Sequence, residues 1–194
     1  VVDDCIATAT DWHAGGSRYK EATLSAVGIG TVADALAGIK KHVFENGTFS
    51  MSALCQALDS DFKDTEPLRQ TLVNHTSHYG NDDDAADNLA VLTQTILCEE
   101  VEKYRDTEGA HYCIDMLPTT SHIALGQLTW ATADGRHARA WLSEGVSPVQ
   151  GHDRKGPTAV ARSVAKLDHA RTNGTLLNIK VSPQCLKEPS DLHK

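Results

Sequence analysis

The chain is expected to fold as an α/β protein in one structural unit. Stretches of helical periodicity alternate with short β-prone runs, the pattern of helices layered on a sheet. No internal repeat, low-complexity tract or linker-like segment divides the 194 residues, and that length supports one domain with a real core.

Residues 31–45 read as an amphipathic helix, with Val32, Leu36, Ile39, Val43 and Phe44 at helical spacing. Lys40 and Lys41 sit late in it, where cations suit the macrodipole, and Asn46-Gly47 ends it. A short helix carrying Leu54 and Leu58 follows Ser50 or Ser52. Another begins at Thr65-Glu66-Pro67: Thr65 caps it, and Pro67 is tolerated because its missing N–H would be unbonded in a first turn. The longest helix starts just after Asn81-Asp82-Asp83 and runs to about Arg105, with Leu89, Leu92, Ile96 and Val101 as its buried stripe. Tyr112 to Asp115 and Gln127 to Thr132 read as short strands, and Ala133-Asp134-Gly135-Arg136 as a turn. A last helix opens at Gly156-Pro157-Thr158, ends near Thr172-Asn173-Gly174 and leads into a strand from Leu176 to Val181.

The totals exclude several classes. Hydrophobic content of 40% and charged content of 23% are those of a globular chain. A formal charge of −8, spread along the sequence, argues against a nucleic-acid or anionic-membrane partner. No apolar run is long enough to span a bilayer, and Val1-Val2-Asp3-Asp4 is no signal peptide. The missing initiating Met suggests a piece of a longer protein. Five cysteines without a Cys-x-x-Cys pair fit reduced thiols in a cytoplasm better than a disulfide framework or a structural zinc site. The three Asn-x-Thr sequons, at Asn46, Asn74 and Asn173, are read as chance.

Most chemical motifs have a plainer reading. Gly151 to Thr158 has the spacing of a phosphate loop, but Pro157 stands where the lysine should, so a tight turn before a Pro-started helix is preferred. Asn81 to Asp84 lacks the alternating ligands and closing Glu of a calcium loop, and capping explains its acids. His75 and His78 share a helical face without a third ligand in phase, His137 stands between arginines, and no His-Glu-x-x-His occurs; no metal site is assigned. Neither a Gly-x-Ser-x-Gly elbow nor a paired Ser, His and Asp is present. Met116-Leu-Pro-Thr-Thr-Ser-His122 is the candidate for substrate contact: it follows a strand, and its proline is followed by three hydroxyls in a row. The bland alternative is that those hydroxyls only satisfy local backbone groups.

Four blocks together carry a resemblance. They are Asp4-Cys5-Ile6 with Gly15-Gly16 and Tyr19, Tyr79-Gly80-Asn81-Asp82-Asp83, Met116 to His122, and Leu142 to His169 followed by Gly174 to Asn178. In order and spacing they resemble glycyl radical enzymes of the pyruvate formate-lyase-like superfamily over nearly the whole chain. Asp115 to His122 and Ser143-Glu-Gly-Val-Ser-Pro148 are most similar to its dehydratase branch, which includes trans-4-hydroxyproline and glycerol or diol dehydratases.

The resemblance implies part of a ten-stranded barrel, residues 1–194 forming one partial segment of its later half. It also implies a parent enzyme that stores a glycyl radical, installed by a separate radical-SAM activating enzyme, and eliminates water from a small hydroxylated substrate. The parent would be a cytoplasmic homodimer of anaerobic metabolism, and the remainder of the barrel would be this chain's partner. Neither the Gly-Cys-x-Glu-like nor the Arg-Val-x-Gly-Tyr-like loop occurs here, so the chain is placed between them and no catalytic role goes to Cys5, Cys55, Cys98, Cys113, Cys185, Gly145 or Gly174. Leu117, Thr119 and Thr120 are carried over as pocket wall, and Tyr79 to Asp82 and Gly156 to Thr158 as scaffold. Ala124-Leu125, Trp130 and Trp141 depart from the common pattern and leave the substrate open. Alternatives are a non-catalytic or degenerate barrel subunit, a formate acetyltransferase-like acyltransferase, and an unrelated acidic α/β binding module. The isolated chain is expected to be inactive and to expose apolar surface and a strand edge.

Overall fold

The structure, a computed structural model, describes residues 2–180. Its sheet has three parallel strands in chain order, β1 (Glu21–Ser25), β2 (His111–Met116) and β3 (Thr172–Thr175). Parallel neighbours need crossovers, and helices supply them. Between β1 and β2 run α2 (Ile29–Ile39, continued by a π-helical stretch Lys40–Glu45), α3 (Met51–Asp59), α4 (Glu66–His75) and α5 (Asp84–Val101). Between β2 and β3 run α6 (Ser121–Leu128) and α7 (Pro157–Val164), and α1 (Asp3–Thr8) precedes the sheet. The expected α/β class is therefore observed.

The core is built largely from small side chains. Ala33 and Ala37 of α2 meet Ala86 and Ala90 of α5, and this layer covers Ile114 and Met116 of β2. Alanines let the two helix backbones approach closely. The larger residues of the expected stripes consequently turn outward: Val32, Leu36 and Phe44 on α2, and Leu92 and Ile96 on α5, are exposed. Leu89 and Val101 are only partly buried against this core. A second cluster, Leu54, Ala57, Phe62, Leu72, Ala131 and Ala133, collects Ile39 and Val43 at its margin.

Several boundaries differ from expectation. The strand expected over Gln127 to Thr132 is the end of α6 and an irregular stretch. Its Trp130 O accepts from the Arg136 guanidinium and its Thr129 O from Arg139 N–H, rather than from a sheet neighbour. The expected Ala133–Arg136 turn is present, closed by Gly135 N–H donating to Thr132 O. The last helix stops at Val164 because Gln94, buried in α5, clasps both backbone groups of Asp168 and turns the chain. The following strand is Thr172–Thr175, not Leu176 onward; residues 176–180 are irregular and Val181 lies outside the described residues. Thr65 occupies the N-cap position of α4, but its hydroxyl makes no capping bond; Ser50, by contrast, caps α3 through Ala53 N–H. α5 ends at Val101, and α1 and β1 are additional to the expected elements. Among the described residues β1 and β3 each pair only with β2, leaving both sheet edges open. No helix among them is long and apolar enough to cross a membrane.

Glu66 ties α4 to the turn beside the second cluster. It accepts from Arg69 and Gln70, and Arg69 also donates to Gly135 O. The Arg69 guanidinium, then Gln70, holds the Glu66 carboxyl down at about 2. A depressed carboxyl stabilises the fold above its unfolded value and loses that contribution as pH falls toward the folded one. The denaturation midpoint is therefore expected to fall as pH drops from the unfolded value of 4.5 toward the folded value of about 2. Glu66→Gln is expected to flatten that part of the profile. An unchanged profile in the variant would remove Glu66 from the account.

Candidate functional site

The two sheet faces are chemically opposed. Ile114 and Met116 face the helices, whereas the in-register pairs Glu21–His111, Thr23–Cys113 and Ser25–Asp115 belong to the other face. That face is uncovered and polar. Asn173 of β3 donates to Thr23 Oγ1 at 3.0 Å and lies against Cys113 Sγ, and Ser25 Oγ donates to Asp115 Oδ1 at 2.5 Å. Burial pushes the Cys113 thiol up, with Glu21 acting in the same direction, so it rests as a thiol rather than a reactive thiolate.

The three parallel strands end on one edge, and there lie the residues singled out by sequence. Asp115 Oδ1 also accepts from Leu117 N–H, bending the chain out of β2. Pro118 is fully buried beneath the loop, while Leu117 is 40% exposed. Thr119, a β-branched residue, sits in the left-handed region at φ 49°, and its hydroxyl donates to Pro118 O. Such a conformation costs of order 1–3 kcal/mol and needs surrounding structure to hold it. Thr120 stands at the N-cap of α6 without a side-chain capping bond. The bland reading of these hydroxyls thus holds for Thr119, whereas Thr120 makes no capping bond. The strand-end carbonyls are closed over by the Ser143–Ser147 segment: Val146 N–H donates to Leu176 O, and Leu176 N–H donates to Met116 O.

A cavity of about 910 Å³ lies beside this edge, lined by His122, Arg136, Trp141, Glu144, Asn178 and Lys180 among others. Leu117, Thr119 and Thr120 do not line it; their loop reaches it only through His122. His122 Nδ1 is buried there without a hydrogen-bond partner.

The scaffold motifs meet behind the sheet. Asn81 donates to the carbonyls of His78 and His152 and accepts from the N–H groups of Arg154 and Lys155. Two N–H groups that a phosphate would need in Gly151 to Thr158 are thereby committed, and the turn is structural. Asp83 caps α5 through Ala85 N–H, as the capping reading requires. Tyr79, fully buried, donates its hydroxyl to Val146 O and so links this scaffold to the strand-end segment.

One cluster was not foreseen. Asp34 of α2 is fully buried, and its Oδ2 lies 3.0 Å from His78 Nδ1 and 2.7 Å from His152 Nδ1. Its Oδ1 accepts from Tyr79 N–H at 2.7 Å. His78 therefore partners His152, 74 positions away, instead of His75, and periodicity within one helix carries no trace of that. Burial opposes charge on His78, but Asp34 outweighs it and raises the imidazole. These three are a group of side chains among the described residues whose ligand atoms converge as a metal requires.

Residues 1–126 match the family model for pyruvate formate lyase-like proteins, and residues 142–194 match the model for the glycine radical region. The latter begins earlier than the sequence reading places it, although no Arg-Val-x-Gly-Tyr loop occurs in the chain. Trans-4-hydroxy-L-proline dehydratase of Clostridioides difficile is 42% identical over 187 residues, covering 96% of this chain and 24% of that protein. The structure of the C. difficile hydroxyproline dehydratase with trans-4-hydroxy-L-proline bound superposes with a TM-score of 0.93 at 41% identity, over 98% of this chain and 24% of that one. The glycerol-bound B12-independent glycerol dehydratase from Clostridium butyricum gives 0.91 at 38% identity, over 99% and 24%. The chain thus spans about a quarter of the length of the relatives it matches.

Proposed function

The chain belongs to the pyruvate formate lyase-like family of glycyl radical enzymes, and from that premise we propose that it is one section of a dehydratase or lyase that removes water from a small hydroxylated substrate. Its part is scaffold and pocket wall. The uncovered polar sheet face lines the interior, with Leu117, Thr119 and Thr120 at its strand-end rim, and the exposed apolar residues of α2 and α5 are covered by the rest of the barrel. The supporting observation is the rim loop itself. It holds a β-branched residue in a left-handed conformation, keeps Leu117 exposed over a buried proline, and leaves the Thr120 side chain out of the helix cap.

The glycyl radical, installed by a radical-SAM activating enzyme, would supply hydrogen-atom abstraction. The glycine and cysteine loops that carry such chemistry are absent from these 194 residues. What the residues present contribute is placement: Leu117 gives apolar contact, Thr120 a hydroxyl, and the sheet face a dry polar wall. The whole protein is read as a cytoplasmic homodimer of anaerobic metabolism.

The test uses the full-length protein, activated anaerobically and offered trans-4-hydroxy-L-proline, glycerol and propane-1,2-diol. Radical formation is followed by electron paramagnetic resonance and dehydration by product analysis. One of the three is expected to be dehydrated. Thr120→Val is expected to raise KM about fivefold to tenfold, the equivalent of one neutral hydrogen bond, with the radical signal unchanged. A radical without dehydration of any of them, or acyl exchange with formate instead, would overturn the dehydratase reading.

A further inference from the structure

We propose that Asp34, His78 and His152 form a binding site for one divalent transition-metal ion of the zinc type, stapling α2 to the turn after α4 and to the loop before α7. The three ligand atoms, Asp34 Oδ2, His78 Nδ1 and His152 Nδ1, lie within 4.8 Å of one another. They come from segments 44 and 118 positions apart, so one ion would tie together three parts of the chain that only the fold assembles.

Two of the three ligands are aimed by a second contact. His78 donates its Nε2–H to Val73 O at 2.9 Å, which turns Nδ1 inward; an imidazole bound to metal through one nitrogen characteristically has its other N–H held this way. Asp34 is oriented by the backbone N–H of Tyr79 on its other oxygen. The two rings stand with centroids 4.0 Å apart and tilted by 43°, so both nitrogens reach one point without the rings blocking each other. Ligands on a tetrahedral zinc are roughly 3.4 Å apart, given bonds of about 2.1 Å. The present separations of 2.7 and 3.0 Å would open by well under 1 Å to admit it.

Charge points the same way. Asp34 and Asp134 are both essentially without solvent exposure, and Asp134 Oδ2 has no hydrogen-bond partner. Asp134 lies within electrostatic range of Asp34 and His152, and burial pushes its carboxyl up. A divalent ion at the point where the three ligand atoms converge would set an opposite charge against the fully buried Asp34 carboxylate. A protein ligand set of two nitrogens and one oxygen suits zinc or a neighbouring transition ion better than magnesium or calcium. The fourth position is left to water.

The experiment dialyses the full-length protein, with its cysteines alkylated, against Zn²⁺ and then against buffer, and measures retained metal per chain. About one equivalent is expected, with a rise in the thermal midpoint. His152→Gln, which leaves the Asp34–His78 contact intact, is expected to weaken binding at least tenfold and abolish the thermal shift. No retained metal would overturn the proposal. So would equal retention in the variant, which would mean an adventitious ion only. If the variant does not fold, Co²⁺ substitution in the wild-type chain decides: tetrahedral visible bands without sulfur charge transfer support the site, and an octahedral or thiolate spectrum refutes it.

Discussion

Replacing Asp87 with alanine is expected to lower folding stability by about 3 kcal/mol, the low end of what removing one member of a buried charged network costs. Asp87 is fully buried on α5, where it accepts from Ser163 Oγ at 2.9 Å and Lys166 Nζ at 2.7 Å. It thereby joins α5 to α7 and the residues just after it. The low end applies because Lys166 keeps Asp82 and Asp84 as partners and is partly exposed. The Ser163 hydroxyl proton has no such fallback and is buried without an acceptor once the carboxylate is gone. Asp87→Asn retains an acceptor in place and is expected to cost roughly half as much. Denaturant midpoints of the two variants measure this directly. An alanine cost below about 1 kcal/mol, the worth of an ordinary hydrogen bond, would show that the two segments are held by apolar packing instead.

The same pairing explains how much of the fold was legible in the sequence. Helix positions were readable because caps and breakers act within a few residues: Ser50, Asp83, Asn46-Gly47 and Pro157 all sit at the ends they announce. Which face each helix buries was not. Periodicity assigns the largest apolar residues to the core, yet α2 and α5 meet through alanines and bury Asp34, Asp87 and Gln94, so Leu92 and Ile96 are left outside. β1 escaped because Glu-Ala-Thr-Leu-Ser has neither an apolar run nor a buried alternation; it is a strand only because β2 lies beside it. The false strand at Gln127 to Thr132 has the opposite cause, since β-prone residues there are diverted by hydrogen bonds to the turn that follows, Trp130 O accepting from the Arg136 guanidinium and Thr129 O from Arg139 N–H.

For the site, the local motif was readable and the assembled one was not. Met116 to His122 announces a strand end followed by hydroxyls, and the structure places it at the C-terminal end of the middle strand of the parallel sheet. The cluster of Asp34, His78 and His152 depends on packing among three distant segments, and no spacing within one element encodes it. The available signal was indirect: an Asp in the middle of a helical run and a His before Tyr79-Gly80-Asn81 are costly to bury unless they meet partners.

Gly145→Ala is expected to destabilise the strand-end edge by about 2–4 kcal/mol, combining the penalty of a left-handed alanine with that of overpacking. Gly145 has φ +51°, and a Cβ there would stand 2.4 Å from Leu176 O and 2.8 Å from Met116 O. Both obstacles are backbone carbonyls already in use, since Leu176 O accepts from Val146 N–H and Met116 O accepts from Leu176 N–H. Neither can swing aside as a side-chain tip would, so the edge must open. Leu117 follows Met116 directly, and the displacement therefore reaches the proposed pocket wall. Faster hydrogen exchange is expected at the Val146 and Leu176 amides, together with a lower denaturation midpoint. Gly47→Ala is the control. Its φ of +57° carries the same backbone penalty, but nothing lies within 4 Å of the added carbon, so it is expected to cost only about 1 kcal/mol. If the two alanines cost the same, the close approach of residue 145 to the strand ends does not constrain this edge.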